Sequence, residues 1–307
     1  MVYSYWDEMK LKHIICVLFI GICSYPLLSL AQDTKLDPSR VNWTSLSYKT
    51  RVLFFGMNID VQMNQISLAK SKAALLTPKY GEGTIPQTDP TYRIDLGTKI
   101  LGRKSFISLW FDPDGTAFQR KQTDTGKKHR VKTYRILKNG FYSVQAKPKE
   151  DEEELPPNRW TDIGEGNNKF NKLPPTGTII SEPTALYYLV SASPLNKPGD
   201  KFEQYIFTKH GIYKLDLNAL DYQNIKVKFE SNQSGKNNTV YNKNFRTLHI
   251  RMKGVAIDPA TQDDFDLLGL KGDIDLYLDP ETRVLVQISG AIDIVGYTNI
   301  KLKAVTF

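Results

Sequence analysis

Residues 131–146, VKTYRILKNGFYSVQA, predict two antiparallel strands joined by a tight turn. The turn falls at Asn139-Gly140, and an Asn-Gly pair between strand-like runs is the strongest short-range signal for a β-hairpin. Segments with a period of two residues recur through most of the chain, whereas helical periods are rare. The sequence therefore predicts a mainly β protein.

The second half of the chain has the clearest alternation. Apolar residues alternate with lysine in IKVKF (225–229) and with His249 and Arg251 in LHIRM (248–252). One face of such a strand packs on a core and the other meets water, so His249 is predicted to be an ordinary surface histidine. The connections at 209–211 and 279–282 are hairpin-sized, which favours antiparallel neighbours. The predicted strands of this half are 202–208, 212–217, 225–229, 246–253, 274–278, 283–289, 291–295 and 300–305.

Two segments depart from the strand pattern. Residues 147–178 contain five consecutive acidic residues and two Pro-Pro pairs, and this composition buries too little apolar surface to order itself, which predicts a mobile insertion. Residues 181–190, SEPTALYYLV, predict one short helix, because proline beside an acidic residue suits a helix start. Residues 65–76 are a second helix candidate.

These patterns predict the fold class. We expect residues 32–307 to form a single antiparallel curved sheet or half-barrel, lipocalin-like or lipoprotein-carrier-like, around one short helix. A barrel that spans the outer membrane is the alternative. It is disfavoured because alternation places Lys301 and Lys303 on the same face as Val305 and Phe307.

The first 31 residues have the features of a secretory signal peptide. A basic start after Met9 is followed by an apolar run at 14–30, with Ser29 and Ala31 at the positions before the expected cleavage site. A membrane anchor is the alternative, but the run is short and Pro26 interrupts it. We expect a protein exported to the bacterial periplasm, either free there or peripheral to the outer membrane.

Both cysteines of the chain, Cys16 and Cys23, lie in this leader. A mature domain without cysteine has no disulfide, thiolate nucleophile or zinc-thiolate site. The formal net charge of +8 indicates affinity for anionic surfaces. In an exported protein those anions are lipid headgroups, lipopolysaccharide or acidic glycans rather than nucleic acid; the alternative is solvated surface lysine.

Catalytic and metal signatures are missing from the sequence. The histidines that follow the leader, His129, His210 and His249, do not have the spacing of zinc ligands, and no GxSxG motif occurs. The acidic segment at 258–266 and the pair Asp273 and Asp275 match no calcium loop, and residues two apart on a strand share a face in any case. No catalytic residue, metal or cofactor is predicted. The alternative is a carboxylate-dependent hydrolase of envelope glycan or peptidoglycan that uses Asp273 and Asp275.

Aromatic residues supply the hint of a binding site. Residues 106–111, FISLWF, are apolar on both faces, so a helix, a loop or a ligand must cover the second face. We predict an apolar cleft with an arginine at its mouth for an anionic headgroup. The candidate residues are Trp110, Tyr134, Tyr188 and Tyr205, with Arg120 or Arg135 at the mouth. The alternative for each aromatic residue is a place in the core under a covering helix.

Three blocks carry a resemblance to a known family. They are YKTRVLFFGMNIDVQMNQISL (48–68), PTALYYLVSASPLNKPGDKFEQYIFTKHGIYKLDL (183–217) and GLKGDIDLYLDPETRVLVQISGAIDIVGYTNIKLKAVTF (269–307). With Asp279, Arg283, Ile288 and Gly296 at its marked positions, the chain resembles the bacterial exported-protein family called domain of unknown function 3108. Residues 147–178 and 231–244 look like insertions. The resemblance implies an envelope β protein and brings no established activity.

The expected function is therefore non-catalytic. We expect a periplasmic protein that binds a lipidic or glycan component of the envelope, or that assists envelope assembly. The expected partners are a lipid, a lipopolysaccharide or a glycan, or another envelope protein.

Overall fold

The computed structural model describes residues 35–52, 55–100, 102–126, 129–233, 238–293 and 295–307. The predicted signal peptide lies outside the described residues. The chain is mainly β, with 58% strand and 10% helix, and its large, mostly antiparallel, curved sheet does not close on itself. The predicted fold class is confirmed.

The described residues form sixteen strands. In the first half they are β1 (Ser45–Val52), β2 (Phe55–Ile66), β3 (Thr91–Ile100), β4 (Arg103–Phe111), β5 (Ala117–Thr125), β6 (Arg130–Leu137), β7 (Gly140–Lys147) and β8 (Asp162–Lys169). In the second half they are β9 (Ile180–Ser181), β10 (Lys201–Thr208), β11 (Gly211–Asn232), β12 (Thr239–Ala256), β13 (Asp266–Leu267), β14 (Leu270–Leu278), β15 (Leu285–Ile292) and β16 (Gly296–Thr306). The α-helices are α1 (Leu68–Ala74) and α2 (Leu186–Ala192), and 3₁₀ turns lie at Pro38–Arg40, Glu150–Glu152, Pro157–Arg159 and Pro183–Ala185.

The sheet consists of two meanders joined by pairing of distant strands. Strands β1 to β8 follow chain order, each antiparallel to the next. The other edge of β1 pairs with β16, and the order continues through β15, β14, β12, β11 and β10 to β9, which is parallel to β10. The far end of β11, at Glu230–Asn232, also pairs in parallel with Ala304–Thr306 of β16.

The Asn139-Gly140 hairpin forms as predicted. Leu137 pairs with Gly140 and Ile136 with Phe141, so β6 and β7 are antiparallel neighbours. In the second half, the strands predicted at 212–217 and 225–229 belong to the single long strand β11. Within the segment predicted as an insertion at 231–244, residues 231–232 end β11 and residues 239–244 begin β12, and residues 234–237 lie outside the described part of the chain. The strand predicted at 291–295 is wrong, because β15 ends at Ile292 and a turn leads into β16.

The segment 147–178 is more ordered than its composition predicts. It contains β8, whose side chains are almost all exposed and whose backbone pairs with β7. Glu152 and Trp160 in the same segment are buried. The Glu152 carboxylate accepts hydrogen bonds from the Thr161 hydroxyl at 2.5 Å and the Thr161 backbone N–H at 2.9 Å. Composition misses β8 because backbone hydrogen bonds, not buried side chains, hold an edge strand.

The two α-helices differ in environment. Every residue of α2 is buried, and its rings pack in the aromatic core of the sheet, with Tyr187 5.6 Å from Tyr48 and Tyr188 5.0 Å from Phe111 between ring centroids. Helix α1 is the second candidate predicted from sequence, and the Ser67 side chain caps it. None of the helices formed by the described residues combines the length and hydropathy of a membrane span.

Arg283 holds the end of α2 in place. Its buried guanidinium donates to the carbonyl oxygens of Ser191 at 3.0 Å, Leu195 at 2.6 Å and Ser193 at 2.9 Å. Ser191 belongs to the last turn of α2, whose carbonyls have no partner within the helix, and Ser193 and Leu195 follow the helix. Arg283 also has a φ of 60°, which is uncommon for a residue other than glycine. This arginine, one of the positions that carry the family resemblance, therefore fixes the helix that adjoins the candidate site.

The alternation predicted for β16 is interrupted. Ser47 of β1 pairs with Ala304 and Tyr48 pairs with Leu302, so the register shifts and Lys303 is skipped. As a result Val305 is buried while Lys301 and Lys303 are exposed. The prediction that these lysines share the face of Val305 is wrong, because a β-bulge reverses the alternation beyond it.

Candidate ligand-binding cleft

A cleft of about 800 Å³ lies on the concave face of the sheet. Strands β3 to β6 contribute part of its lining, and the β10–β11 turn, the segment 263–271 and the residues that lead into α2 contribute the rest. This volume lies within the range of about 300–1,000 Å³ that is typical of small-molecule sites. The apolar and aromatic lining residues are Leu96, Ile107, Tyr134, Tyr187, Phe207, Tyr213, Leu267 and Leu268.

Strand register brings the lining of β3 to β6 together. Leu96 pairs with Ile107, Ile107 with Gln122, and Gln122 with Lys132, so these four residues form one cross-strand row. Residues that are direct partners in antiparallel strands point to the same face. The row therefore combines apolar side chains with a lysine on the concave face.

Tyr134 lies between two cations. The Lys132 Nζ is 4.6 Å and the Arg120 guanidinium carbon 5.5 Å from the Tyr134 ring centroid, close enough for cation–π attraction. Arg120 also lies 2.9 Å from a carboxylate oxygen of the buried Glu182. That approach is an ion pair without hydrogen-bond alignment, since Arg120 Nε has no hydrogen-bond partner.

Two lysines leave positive charge in the cleft without a protein counter-charge. Arg120 is paired with Glu182, and Arg130 is paired with Asp124. Lys132 and Lys209 also line the cleft, and neither forms an ion pair with any described residue. These two side chains are available to an anionic group.

The segment that we call the acidic loop contributes Asp263, Asp264 and Asp266. Asp263 Oδ2 lies 2.6 Å from His210 Nδ1, and Asp266 accepts a 2.9 Å hydrogen bond from the Gly269 N–H. Asp264 is exposed and has neither a hydrogen bond nor an ion pair within the described part of the chain. Burial, and then the charges of Asp263 and Asp264, raise the pKa of the neighbouring Tyr213.

Tyr187 brings an unpartnered hydroxyl to the site. The residue lines the cleft, is 1% exposed, and its Oη has no hydrogen-bond partner among the residues that the structure describes. Burial raises the pKa of this phenol far above its usual value, so the group stays protonated. A buried polar group without a partner costs about 1–3 kcal/mol and calls for an explanation, such as a ligand atom or a bound water.

Two of the six predicted site residues meet in the cleft. Arg120 and Tyr134 are cross-strand partners and both line it. Trp110 and Arg135 lie on the opposite face, where the Arg135 guanidinium donates to the carbonyls of Phe118 and Thr84, each at 2.7 Å. Arg135 follows Tyr134 directly in the strand, so the two side chains must point to opposite faces.

The remaining two predicted residues also lie outside the cleft lining. Tyr188 is fully buried in the core, where its hydroxyl donates to the Pro113 carbonyl. Tyr205 is partly buried on β10. The second face of residues 106–111 is covered only near Trp110, which is 8% exposed, whereas Phe106 is 50% exposed. A loop supplies that cover: the Leu76 N–H that follows α1 donates to Gln119, the partner of Trp110.

Sequence reasoning missed most of the polar lining. Lys132 could have been found, since it lies two residues from Tyr134 and shares its face. For the acidic loop the sequence suggests metal binding or acid–base catalysis rather than a place in the lining of a binding cleft, and the described residues contain no group of three or more potential metal ligands. Lys209, Glu182 and Tyr187 had no signal, because only the pairing of distant strands brings them to the cleft.

His249 is not the solvated surface residue that alternation predicts. It is 5% exposed, its Nδ1 lies 3.0 Å from Asp221 and its Nε2 2.9 Å from Asp275, and its ring stacks on Tyr277 at 5.1 Å. Neighbouring long side chains cover it on the outer face. Arg251 Nε and Tyr297 Oη complete the group by donating to Asp275 at 3.0 and 2.9 Å.

The carboxylate considered for hydrolysis belongs to this group. Burial acts to raise the pKa of Asp275, but the hydrogen bonds from His249, Arg251 and Tyr297 outweigh it, so the pKa is lowered. Asp273 is exposed on the same strand. Neither residue lines the cleft. A carboxylate held ionised by three donors is unsuited to act as a general acid.

A second, smaller cleft of about 370 Å³ lies beside the far end of the β11–β12 hairpin. Its lining includes Phe229, Tyr241 and Phe245, whose rings pack together with Phe229 5.2 Å from each of the other two. Lys243 covers the Phe245 ring at 4.8 Å. In this cleft the aromatic rings pack against one another and the lysine lies over one of them, so these side chains already interact within the protein.

Comparison of the chain with models of protein families, with curated proteins and with solved structures finds no match. The resemblance to domain of unknown function 3108 stays a prediction.

Proposed function

We propose that this protein is a non-catalytic binding protein of the bacterial envelope and that its ligand is a lipidic molecule with a charged headgroup. The observation that supports this proposal is the composition of the larger cleft. Apolar and aromatic side chains lie beside Lys132 and Lys209, which form no ion pair with a described carboxylate, and beside the Tyr187 hydroxyl, which has no hydrogen-bond partner among the same residues.

The cleft offers a ligand two kinds of contact, which are burial of apolar surface and hydrogen bonds to charged groups. Burial of apolar surface contributes about 25 cal/mol per Å², or about 0.8 kcal/mol for each buried CH₂ group of an acyl chain. The lysines supply charge-assisted hydrogen bonds to an anionic group, and these are stronger than neutral ones. A lipid uses both contacts, whereas a glycan gains less from the partly exposed apolar side chains of Ile107 and Leu268.

Export and periplasmic location are part of the proposal and rest on the N-terminal sequence. The intact mass of the protein recovered from a bacterial periplasmic fraction tests them. We expect a chain that begins at Gln32. Recovery of the uncleaved chain in the membrane fraction would instead indicate an anchor.

Native mass spectrometry of the full-length gene product, purified without detergent, tests the binding function. We expect a bound species that organic extraction identifies as a lipid. The variant Thr98→Trp, which adds a large side chain to the cleft lining, should lose this species. The matched control is Lys99→Trp, the next residue on the same strand, which is exposed and points to the other face.

The outcomes separate the candidate functions. Retention of the lipid by both variants would place it elsewhere, for example in the smaller cleft. A bound glycan in place of a lipid would contradict the proposal, and so would an unliganded protein that also fails to bind added short-chain lipids.

A further inference from the structure

We propose that the headgroup bound in the larger cleft is a zwitterion that carries a phosphate and a primary amine, as in a phosphoethanolamine lipid. This inference rests on the proposed function and goes further by naming the ligand class. It is drawn from the charges that the cleft leaves unpaired and from the aromatic ring that lies beside them.

The charged side chains that line the larger cleft include both paired and unpaired groups. The ion pairs of the cleft are Arg120 with Glu182, Arg130 with Asp124 and Lys271 with Asp293, and Asp263 lies 2.6 Å from His210 Nδ1. The hydrogen bond to Asp293 raises the pKa of Lys271, and the charges of Asp266 and Asp264 also contribute to this raised pKa. When these pairs are set aside, the lining still contains the cations Lys132 and Lys209 and the anions Asp264 and Asp266. Both signs of charge are therefore present in one cleft, and they do not neutralise each other by direct contact.

Headgroups of different charge would interact differently with the lysines and the acidic loop of the cleft. A purely anionic headgroup is attracted to the lysines but repelled by the acidic loop. A purely cationic headgroup is attracted to the acidic loop but repelled by the lysines. Like charges that come close together repel each other, and more strongly where a ligand excludes water, so an unmatched charge weakens binding. A headgroup with a phosphate for the lysines and an ammonium for Asp264 matches both.

The aromatic rings and carboxylates of the cleft favour a primary ammonium group over a quaternary one. Quaternary ammonium groups are recognised mainly by aromatic faces. The Tyr134 ring in this cleft already has Lys132 and Arg120 over it. Carboxylates instead favour a group that can donate hydrogen bonds, and a primary ammonium has three N–H donors. The acidic loop therefore favours ethanolamine over choline.

The Tyr187 hydroxyl is an observation independent of the charges. The residue lines the same cleft, and its covered Oη has no hydrogen-bond partner among the described residues, so it can donate to a phosphate or ester oxygen when a ligand displaces the side chains that cover it. Because its neighbours leave it unsatisfied, a ligand that accepts this hydrogen bond removes an existing cost.

Isothermal titration calorimetry of the full chain tests the inference with short-chain lipids below their critical micelle concentrations. The probes are dihexanoyl phosphatidylethanolamine, phosphatidylglycerol and phosphatidylcholine, together with glycerophosphoethanolamine, which has the headgroup without acyl chains. We expect the ethanolamine lipid to bind at least about tenfold more tightly than the other two lipids, a difference of about 1.4 kcal/mol. We expect no measurable binding of glycerophosphoethanolamine.

Two variants and a control locate the headgroup. Asp264→Asn should reduce the affinity for the ethanolamine lipid by about fivefold or more and leave the glycerol lipid unchanged or tighter. Lys132→Met should weaken both lipids. The control Asp162→Asn removes an exposed aspartate of β8 that does not line the cleft, and it should change neither affinity.

Each contrary result has a separate meaning. Tighter binding of phosphatidylglycerol, or equal binding of phosphatidylcholine, would overturn the zwitterion inference and leave lipid binding intact. Equal binding of glycerophosphoethanolamine would show that a soluble phosphoamine is the ligand, which overturns the lipid part of both proposals. Failure of every probe to bind would overturn the zwitterion inference, and a different bound lipid in native mass spectrometry would then preserve the proposed function.

Discussion

The larger cleft and the group around His249 have similar inventories of charged and aromatic residues but opposite bonding. On the outer face, Asp275 accepts hydrogen bonds from His249, Arg251 and Tyr297, and each of these contacts is 3.0 Å or shorter. On the concave face, Lys132 and Lys209 have no ion-pair partner among the described residues, and the Tyr187 hydroxyl has no hydrogen-bond partner. The polar groups around His249 have partners within the protein, whereas several polar groups of the cleft have no such partner in the described part of the chain.

This difference shows that the presence of titratable residues is a poor guide to function. A buried polar cluster with every partner in place stabilises the fold, because the protein has already replaced the water that these groups lose. In the cleft, Lys209 and Asp264 are exposed and Lys132 is partly exposed, so water solvates charges that a ligand could pair with, and the Tyr187 hydroxyl is buried without a hydrogen-bond partner among the described residues. We therefore assign a structural role to the His249 group and a binding role to the cleft.

The largest expected effect is the loss of the acceptor at the centre of the His249 group. Asp275→Ala leaves the buried His249 and the Tyr297 hydroxyl without their acceptor and removes the partner of the exposed Arg251, and hydrogen bonds to a charged group contribute about 1.5–3 kcal/mol each. We expect the free energy of unfolding in urea to fall by about 3 kcal/mol, with lipid affinity unchanged. Asp273→Ala, on the same strand but exposed, is the control and should change stability by less than about 0.5 kcal/mol. Equal effects of the two variants would remove the contrast between the sites.

Acid should affect the His249 group in a defined direction. The pKa of Asp275 in the folded protein lies below its usual value of 3.8. The unfolded chain therefore binds this proton first as the pH falls, so the contribution of Asp275 to stability is full above about pH 4 and is lost as the pH drops through the folded pKa. Thermal unfolding measured between pH 2 and pH 5 should show a shallower acid decline in Asp275→Asn than in the wild type. An unchanged slope would mean that Asp275 does not carry this linkage.

Removal of the Tyr187 hydroxyl should change the stability of the fold less than Asp275→Ala does, and in the opposite direction. Tyr187→Phe deletes a buried group that has no partner, so we expect stability to stay the same or to rise by up to about 1 kcal/mol. Affinity for the lipid should fall in the same variant. Differential scanning calorimetry and lipid titration measure the two quantities. A clear loss of stability would show that the hydroxyl has a partner in solution, such as a bound water, and would weaken the comparison.

The smallest effect on stability is expected from the lysine of the cleft. Lys132→Met keeps most of the side-chain volume and removes a charge that forms no ion pair in the described part of the chain, so the free energy of unfolding should change by less than about 0.5 kcal/mol. Affinity for an anionic lipid should nevertheless fall. Lys121→Met is the matched control, because Lys121 is exposed on the neighbouring strand and lies outside the cleft lining. Similar affinities of the two variants would contradict a role for Lys132 in binding.

Part of the site could be predicted from sequence and part could not. The prediction placed Arg120 and Tyr134 at a common cleft, and their strands do pair directly at these residues. It could not choose between Arg120 and Arg135, because the phase of the alternation in β6 decides which arginine faces the concave side. Trp110 illustrates the same limit, since both faces of its strand are apolar and sequence alone does not say which one a loop covers.

By itself, the sequence determined the class of the fold, the Asn139-Gly140 hairpin, helix α2 and the alternation of most strands. These features depend on contacts between near neighbours, where turn chemistry and a period of two are sufficient. Only the tertiary structure decided that β8 forms in an acidic segment, that His249 is buried and that Lys132, Lys209 and Tyr187 meet in one cleft. The physical reason is that each of these outcomes depends on backbone pairing or side-chain burial between segments that are distant in the chain, and no local pattern encodes which segments meet.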